Sequence, residues 1–177
     1  MAKEFLDPTQ VLRSLPLKED MVAVDFGSGS GGWVLPLSQI LEEGKVYAID
    51  ILEEPLSVLK GRMRSEGILN IETIQSDVEK PKGSTLPSES VDLVLMTNLL
   101  FQVDDKKAVF EEAKRILKKG GKILVVDWEK GALLGPTEGR VDPKEIQKIA
   151  ENLGFKLEKE FKAGAYHWAL IFSKKNL

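Results

Sequence analysis

The sequence of 177 residues contains no cysteine and only one histidine, His167. The absence of cysteine excludes disulfides, thiolate metal sites and a cysteine nucleophile. The single histidine excludes a metal centre built from several imidazoles. We therefore predict that this chain holds no metal ion.

Long apolar runs and a strong excess of one charge are also missing. No run approaches the roughly 20 residues of a membrane span, and residues 1–7 lack the apolar core of a signal peptide. The 25 basic and 28 acidic residues leave a net charge of −3, which argues against a general phosphate-backbone binder. We expect a cytoplasmic protein without membrane or nucleic-acid partners, and the sequence leaves its oligomeric state open.

Five short runs rich in Val, Ile and Leu recur through the first three quarters of the chain. Their near-continuous apolar character is typical of parallel strands buried on both faces. The predicted strands are Met21–Phe26, Lys45–Asp50, Ile71–Ser76, Val91–Met96 and Lys122–Asp127.

Helical patterns separate these runs. Val34, Leu37 and Leu41, for example, fall at i, i+3 and i+7, which marks one buried stripe. Gly67 and Gly120 stand where left-handed helix caps are expected. Alternating strands and helices predict an α/β fold with a doubly wound, mostly parallel sheet.

The last quarter of the chain follows a different pattern. A helix is predicted from Asp142, and the alternating segments Phe155–Phe161 and Tyr166–Ser173 predict an antiparallel C-terminal hairpin. We expect residues 1–20 to form a helical cap and residues 131–140 to form a loop on the substrate side. No linker is evident, so we predict a single domain over residues 1–177.

A glycine-rich turn, Gly27-Ser28-Gly29-Ser30-Gly31-Gly32, joins the first strand to the next helix. Glycines here let a ligand approach the main chain closely. The turn fits the dinucleotide pattern Gly-x-Gly-x-x-Gly, with Asp50 21 residues after Gly29. It also fits the Asp-x-Gly-x-Gly-x-Gly loop that binds S-adenosylmethionine, so the turn alone does not decide between the two ligands.

Three further features favour the sulfonium cofactor. Asp25, just before the glycines, suits an ammonium group better than a pyrophosphate. Asp77 follows the third strand, where a carboxylate can accept a hydrogen bond from an adenine amino group. The chain lacks a Tyr-x-x-x-Lys pair for hydride transfer, because Leu170 stands four residues after Tyr166.

At these positions the sequence resembles the class I S-adenosylmethionine-dependent methyltransferases of the type 11, menaquinone-biosynthesis-like kind. The resemblance implies a seven-stranded Rossmann-like sheet with an antiparallel last strand, and S-adenosyl-L-methionine as cofactor. The matching segments are AVDFGSGSGGW at 23–33, VYAID at 46–50, QSDVEK at 75–80, VDLVLMTNLLFQV at 91–103 and LKKGGKILVVDW at 117–128.

The candidate cofactor-binding residues follow from strand ends and from the resemblance. We expect Asp50 to bind the ribose hydroxyls, Ile51 to cover the adenine, and Asp25 to contact the amino group. The resemblance assigns the adenine amine to Asp77. The alternatives are a helix cap for Asp50, an Asx turn for Asp77 and a structural acceptor for Asp25. The full candidate set is Asp25, Gly27, Ser28, Gly29, Gly31, Asp50, Ile51, Asp77, Val78 and Asn98.

No catalytic residue stands out. Asn98, Trp128 and His167 are weak candidates, since Asn98 and Trp128 follow strand ends while His167 lies in the hairpin. Ordinary packing is the alternative for Trp128 and His167. Arg140 is either an anion-binding group for the substrate or a solvated arginine.

The predicted function is in-line transfer of a methyl group to an unidentified small molecule. A sulfonium carries its own leaving group, so the protein needs no nucleophile, only a means to orient the acceptor and exclude water. A non-catalytic S-adenosylmethionine-binding module and an NAD-dependent oxidoreductase are the alternatives.

Overall fold

A seven-stranded sheet forms the centre of the computed structural model, which describes residues 5–176. Its order is β3-β2-β1-β4-β5-β7-β6. The first five strands are parallel, and β7 runs antiparallel to both β5 and β6. The strands are β1 Val22–Phe26, β2 Lys45–Asp50, β3 Ile71–Gln75, β4 Val91–Thr97, β5 Leu117–Trp128, β6 Phe155–Ala163 and β7 His167–Lys174.

Helices connect the strands and cover the sheet. Asp7 caps the first helix by accepting hydrogen bonds from the N–H groups of Thr9 and Gln10, and Gly67 ends the third in the left-handed conformation, as predicted. The helices are α1 Pro8–Leu12, α2 Val34–Ile40, α3 Glu53–Glu66, α4 Lys106–Ile116 and α5 Pro143–Asn152, with a 3₁₀ turn at Leu100–Gln102.

The predicted α/β sheet and its antiparallel hairpin are confirmed. The fifth strand is longer than predicted, because the chain passes from Ile116 directly into β5, where Leu117 pairs with Val91 across an irregularity. Gly120 therefore lies inside β5 rather than capping a helix, with a φ of +74°. Its left-handed backbone conformation therefore occurs near the start of a strand and not at the end of a helix.

Apolar side chains bury both faces of the sheet. One core includes Phe26, Met96 and Phe110, and the other includes Leu37, Leu95 and Ile171. Burial on both faces explains why the parallel strands lack polar alternation.

The N-terminal segment packs against the second of these cores. Val11, Leu12 and Leu15 are buried there, while residues 1–4 of the predicted helical cap lie outside the described residues. Residues 131–140 contain neither helix nor strand. Across residues 5–176, none of the helices combines the length and apolar character needed to traverse a bilayer.

Candidate functional site

A cavity of about 320 Å³ opens at the carboxyl ends of β1, β2 and β3. Parallel strands all end at one edge of a sheet, and the order reverses between β1 and β4, so this edge is a natural ligand crevice. Predicted residues that line the cavity are Gly27, Gly29, Asp50, Ile51, Asp77 and Val78.

The glycine turn is held against the end of β2. The N–H groups of Gly27 and Ser28 both donate to the carbonyl of Ile49, at 2.8 and 2.9 Å. Gly31 has a φ of +101°, and a Cβ there would lie 2.6 Å from Leu59 Cδ1. The turn therefore needs glycine for its backbone angle and for its close approach to α3.

Asp50 joins the glycine turn to the start of α3. Its Oδ2 accepts a hydrogen bond from the N–H of Gly29 at 2.9 Å, and its Oδ1 accepts one from Leu52 at 3.0 Å. The carboxylate therefore holds the turn in place while it faces the cavity. Beside it, the Ile51 side chain is 58% exposed and free to cover a bound ring.

Asp77 forms the Asx turn that the sequence left open. Its Oδ1 accepts a hydrogen bond from the N–H of Glu79 at 3.0 Å. This turn does not remove Asp77 from the site, because Asp77 and the buried Val78 both line the cavity.

Asp25 lies beneath the glycine turn and is completely buried. Neither of its carboxylate oxygens has a hydrogen-bond partner among the described residues. Burial, reinforced by the nearby Asp50 carboxylate, raises the pKa of Asp25 well above its usual value. A buried carboxyl group without a donor calls for a ligand or a water that supplies one.

Asn98 turns the chain away from the end of β4. Its φ of +50° is left-handed, its N–H donates to the carbonyl of Val126 at 2.8 Å, and its carbonyl accepts from Gln102. The side-chain Oδ1 is buried and has no hydrogen-bond partner among residues 5–176. The backbone hydrogen bonds thus fix the residue, while its amide oxygen has no donor from this part of the chain.

Asp127 connects β5 to the segment that follows β4, a role that the sequence did not reveal. Its carboxylate accepts hydrogen bonds from the N–H groups of Leu100 and Trp128, at 3.1 and 2.8 Å. Burial raises the pKa of Asp127 to about 6, against the lowering effect of these backbone donors. Apart from its place at a strand end, no local pattern predicts this contact, which joins residues 27 positions apart.

Trp128 and His167 face each other across the β5–β7 pair. Their ring centroids lie 4.1 Å apart with 38° between the planes. His167 is completely buried, and neither ring nitrogen has a hydrogen-bond partner among residues 5–176. Trp33, in contrast, is buried in the core before α2, as packing would require.

Arg140 does not line the cavity, and it is half-buried rather than fully solvated. Its guanidinium donates hydrogen bonds to five backbone carbonyls, at 2.6–3.0 Å, and so holds together the loop before it. The acceptors are Glu129, Lys130, Ala132, Leu134 and Pro136.

Replacing Arg140 with alanine should release this loop. We expect amide hydrogen exchange in residues 131–140 to accelerate at least about tenfold, because hydrogen bonds to a charged donor contribute roughly 1.5–3 kcal/mol each. Arg140→Lys is the matched control, since one ammonium cannot reproduce the planar set of donors. If the lysine variant retained full protection, charge alone would explain the ordered loop and the hydrogen-bonding role would be wrong.

The fold and this edge define a class of protein: the class I S-adenosylmethionine-dependent methyltransferases, as the sequence resemblance implied. Residues 17–171 match the family model described as "Methyltransferase domain". The chain belongs to this family. The comparison favours the S-adenosylmethionine interpretation of the glycine turn over the dinucleotide interpretation.

Relatives agree with this assignment. Over 112 residues the chain is 30% identical to the ubiquinone/menaquinone biosynthesis C-methyltransferase UbiE of Shewanella sp. (strain ANA-3), covering 62% of this chain and 43% of that protein. It is 27% identical to the demethylmenaquinone methyltransferase of Bacillus mycoides, covering 75% and 55%. The chain thus spans about half the length of these curated relatives.

A similar solved structure is that of a SAM dependent methyltransferase from Aquifex aeolicus. It superposes with a TM-score of 0.87 at 30% identity, over 95% of this chain and 89% of that chain. The likeness therefore extends over nearly the whole chain.

The residues present fit S-adenosylmethionine. The Asp25 carboxyl and Asn98 Oδ1 have no hydrogen-bond partner among residues 5–176 and lie near the ends of the neighbouring strands β1 and β4, although neither residue lines the cavity. Asp50 and Asp77 line the cavity with oxygens that accept hydrogen bonds from hydroxyl and amino groups.

Proposed function

We propose that this chain binds S-adenosylmethionine in the cavity at the ends of β1–β3 and transfers its methyl group to a small organic acceptor. The observation that carries the proposal is the row of acidic side chains Asp25, Asp50 and Asp77, each at the carboxyl end of a strand or just beyond it, around one glycine turn. Within residues 5–176, all seven strands belong to one sheet. This supports treating residues 1–177 as a single domain.

Each part of the cofactor has a proposed partner. Asp50 accepts hydrogen bonds from the ribose hydroxyls, and Ile51 covers a face of the adenine. Asp77 and the Val78 N–H bind the adenine edge. The glycine turn, with Asp25 and Asn98, holds the amino-acid end. The turn residues in this set are Gly27, Ser28, Gly29 and Gly31.

When bound, the cofactor supplies a methyl group on a positively charged sulfur that is already a good leaving group. The chain's own task is to hold the acceptor in line and to exclude water. The Asp25 carboxyl and Asn98 Oδ1, which have no partner within the described part of the chain, would accept hydrogen bonds from the cofactor's ammonium group. The absence of an obvious nucleophile is therefore compatible with catalysis.

The proposed acceptor is a small molecule. The ends of β4 and β5 lie beside the ordered loop 131–140, which Arg140 holds together. A loop braced in this way suits the enclosure of a compact ligand. The names of two relatives refer to ubiquinone and menaquinone, which are organic molecules rather than proteins or nucleic acids.

Calorimetric titration with S-adenosylmethionine and S-adenosylhomocysteine tests the binding part of this proposal. We expect both ligands to bind and NADH not to bind. Radiolabelled methyl transfer to fractions of a small-molecule extract then tests catalysis. Binding without transfer would support a non-catalytic binding module instead, and tight NADH binding alone would support an oxidoreductase.

Asp50→Ala should weaken binding of S-adenosylhomocysteine about 30-fold, equivalent to about 2 kcal/mol. The variant loses the ribose contact and the anchor of the Gly29 N–H. Asp20→Ala, which alters an exposed aspartate before β1, is the matched control and should bind normally. Equal affinities for the two variants, measured by calorimetry, would remove Asp50 from the site.

A further inference from the structure

Aromatic rings meet at the end of β5 and the start of β7. Trp128 and His167 are directly opposite in the strand register, and half-buried Tyr166 precedes His167. We call these three residues the aromatic site. It lies at the same carboxyl edge of the parallel sheet as the cofactor cavity.

His167 gives this site an unmet polar requirement. Its side chain is fully buried and neither Nδ1 nor Nε2 has a hydrogen-bond partner among the described residues 5–176, although a buried polar group without a hydrogen bond is costly. Burial lowers the pKa of His167 to about 4, so its imidazole is neutral near pH 7. A neutral imidazole presents one acceptor nitrogen and one N–H donor.

Phe5 occupies the aromatic site without meeting that requirement. Its ring centroid lies 6.4 Å from that of Trp128, 6.0 Å from Tyr166 and 6.1 Å from His167. It meets Trp128 and His167 edge-on, an arrangement that aromatic pairs favour. Phe5 is nevertheless 58% exposed, so it can leave at small cost in buried area.

The surrounding loop adds an apolar rim. The Gly135 backbone lies so close to the Trp128 indole that a Cβ there would be 2.5 Å from Cε3. The neighbouring Leu133 and Leu134 are 90% and 49% exposed. Two exposed leucines therefore directly precede the residue that packs on Trp128.

We propose that Trp128, Tyr166 and His167 form the subsite for the methyl acceptor, that the acceptor is a planar aromatic molecule with a hydroxyl or N–H group, and that Phe5 fills the subsite until the acceptor displaces it. The aromatic rings bind the flat face or edge of the acceptor. One His167 nitrogen accepts the hydrogen bond from its polar group.

The position of the subsite agrees with this role, which rests on the proposed function. β5 is next to β4, and β7 is next to β5. Neighbouring strands are about 4.8 Å apart, so the subsite begins on the order of 5–10 Å from the end of β4. Asn98, at that strand end, has its backbone bonded to Val126 of β5. A cofactor at β4 and an acceptor at β5 and β7 would therefore be neighbours.

The single histidine allows a direct test by NMR. Protein with ¹⁵N-labelled histidine, saturated with S-adenosylhomocysteine, is titrated with 2-naphthol and separately with 2-methoxynaphthalene, which has the same rings but no donor. We expect 2-naphthol to shift the ring ¹⁵N signals of His167. We also expect it to bind at least about fivefold more tightly than the methoxy compound, as one net hydrogen bond predicts.

Two variants separate the parts of the inference. Phe5→Ala should bind both probes several-fold more tightly, because the competing ring is gone. His167→Phe should bind 2-naphthol and 2-methoxynaphthalene equally. Leu69→Ala, at a side chain that is 96% exposed, is the control and should match the wild type.

The results distinguish this inference from the proposed function. If S-adenosylhomocysteine binds but 2-naphthol leaves the His167 signals unchanged in both the wild type and Phe5→Ala, the aromatic subsite is wrong and the cofactor site stands. Equal affinity of the wild type for the two probes would overturn the hydrogen-bonding role of His167. If S-adenosylhomocysteine itself fails to bind, the proposed function falls and the inference falls with it.

Discussion

Replacing Glu112 with alanine is expected to lower the free energy of unfolding by about 3 kcal/mol, the lower end of the range for breaking a buried ion pair. The Glu112 side chain is 4% exposed, and that of its partner Arg115 is 23% exposed. Glu112 Oε1 accepts hydrogen bonds from the Ser84 N–H at 3.0 Å, from Ser84 Oγ at 2.5 Å and from Arg115 Nη2 at 2.6 Å. Alanine leaves these donors without their acceptor.

The same substitution should also weaken cofactor binding. Ser84 belongs to the long connection between β3 and β4, which also carries Asp77 and Val78. Through Ser84, Glu112 fixes this connection to α4, although Glu112 does not line the cofactor cavity. A severalfold loss of affinity for S-adenosylhomocysteine is therefore expected without any change in a cavity-lining side chain.

Urea unfolding of Glu112→Ala and of Glu111→Gln checks the stability effect. Glu111 is the adjacent residue on α4, but its carboxylate is exposed and pairs with Lys107, at 3.3 Å. Exposed pairs of this kind contribute about 0–1 kcal/mol. If both variants lost the same stability, the buried network would have no special role.

Acidification gives the second large effect. Burial lowers the pKa of His167 to about 4, whereas an unfolded histidine titrates near pH 6.5. As the pH falls from about 6.5 to about 4, the unfolded chain takes up a proton that the folded chain does not. The contribution of His167 to the free energy of unfolding should therefore decrease by about 3 kcal/mol over this interval and change no further below it.

Comparison with His167→Phe isolates this contribution. The variant keeps an aromatic ring opposite Trp128 but cannot titrate. Asp25 and Asp127, whose raised pKa values also affect stability in acid, are present in both proteins and cancel in the difference. A wild-type-minus-variant curve that stays flat between pH 4 and 6.5 would show that folded His167 is protonated as readily as the unfolded residue.

Local sequence patterns predicted most of the sheet because a strand that is buried on both faces appears in the sequence as a run of apolar residues. β2 has the predicted bounds, and β1 and β3 differ from theirs by a single residue each. β5 was underestimated because Gly120 and Gly121 resemble a helix end, whereas pairing with β4 extends the strand. Tertiary pairing, which local propensity does not contain, decided that boundary.

Candidate site residues could be predicted from the sequence where they directly follow or end a strand. Asp50 and Asp77 follow that rule, and both line the cavity. The contacts of Arg140 with five carbonyls depend on the path of an irregular loop. The edge-on contact of His167 with Phe5 joins residues that are 162 positions apart in the chain. Neither of these contacts produces a periodic pattern in the sequence, so neither could be predicted from it.

The carboxylate of Asp50 already accepts one backbone hydrogen bond on each oxygen. Each oxygen has a second lone pair, so a ribose can bind without displacing either backbone partner. The ribose hydroxyls and the two backbone N–H groups then donate to the same two carboxylate oxygens of Asp50. A hydrogen bond from a hydroxyl draws electron density from its oxygen and so weakens the hydrogen bond from the N–H group. The amide resonance of Gly29 should accordingly act as a built-in reporter of nucleoside occupancy, although the amide itself need never touch the sugar.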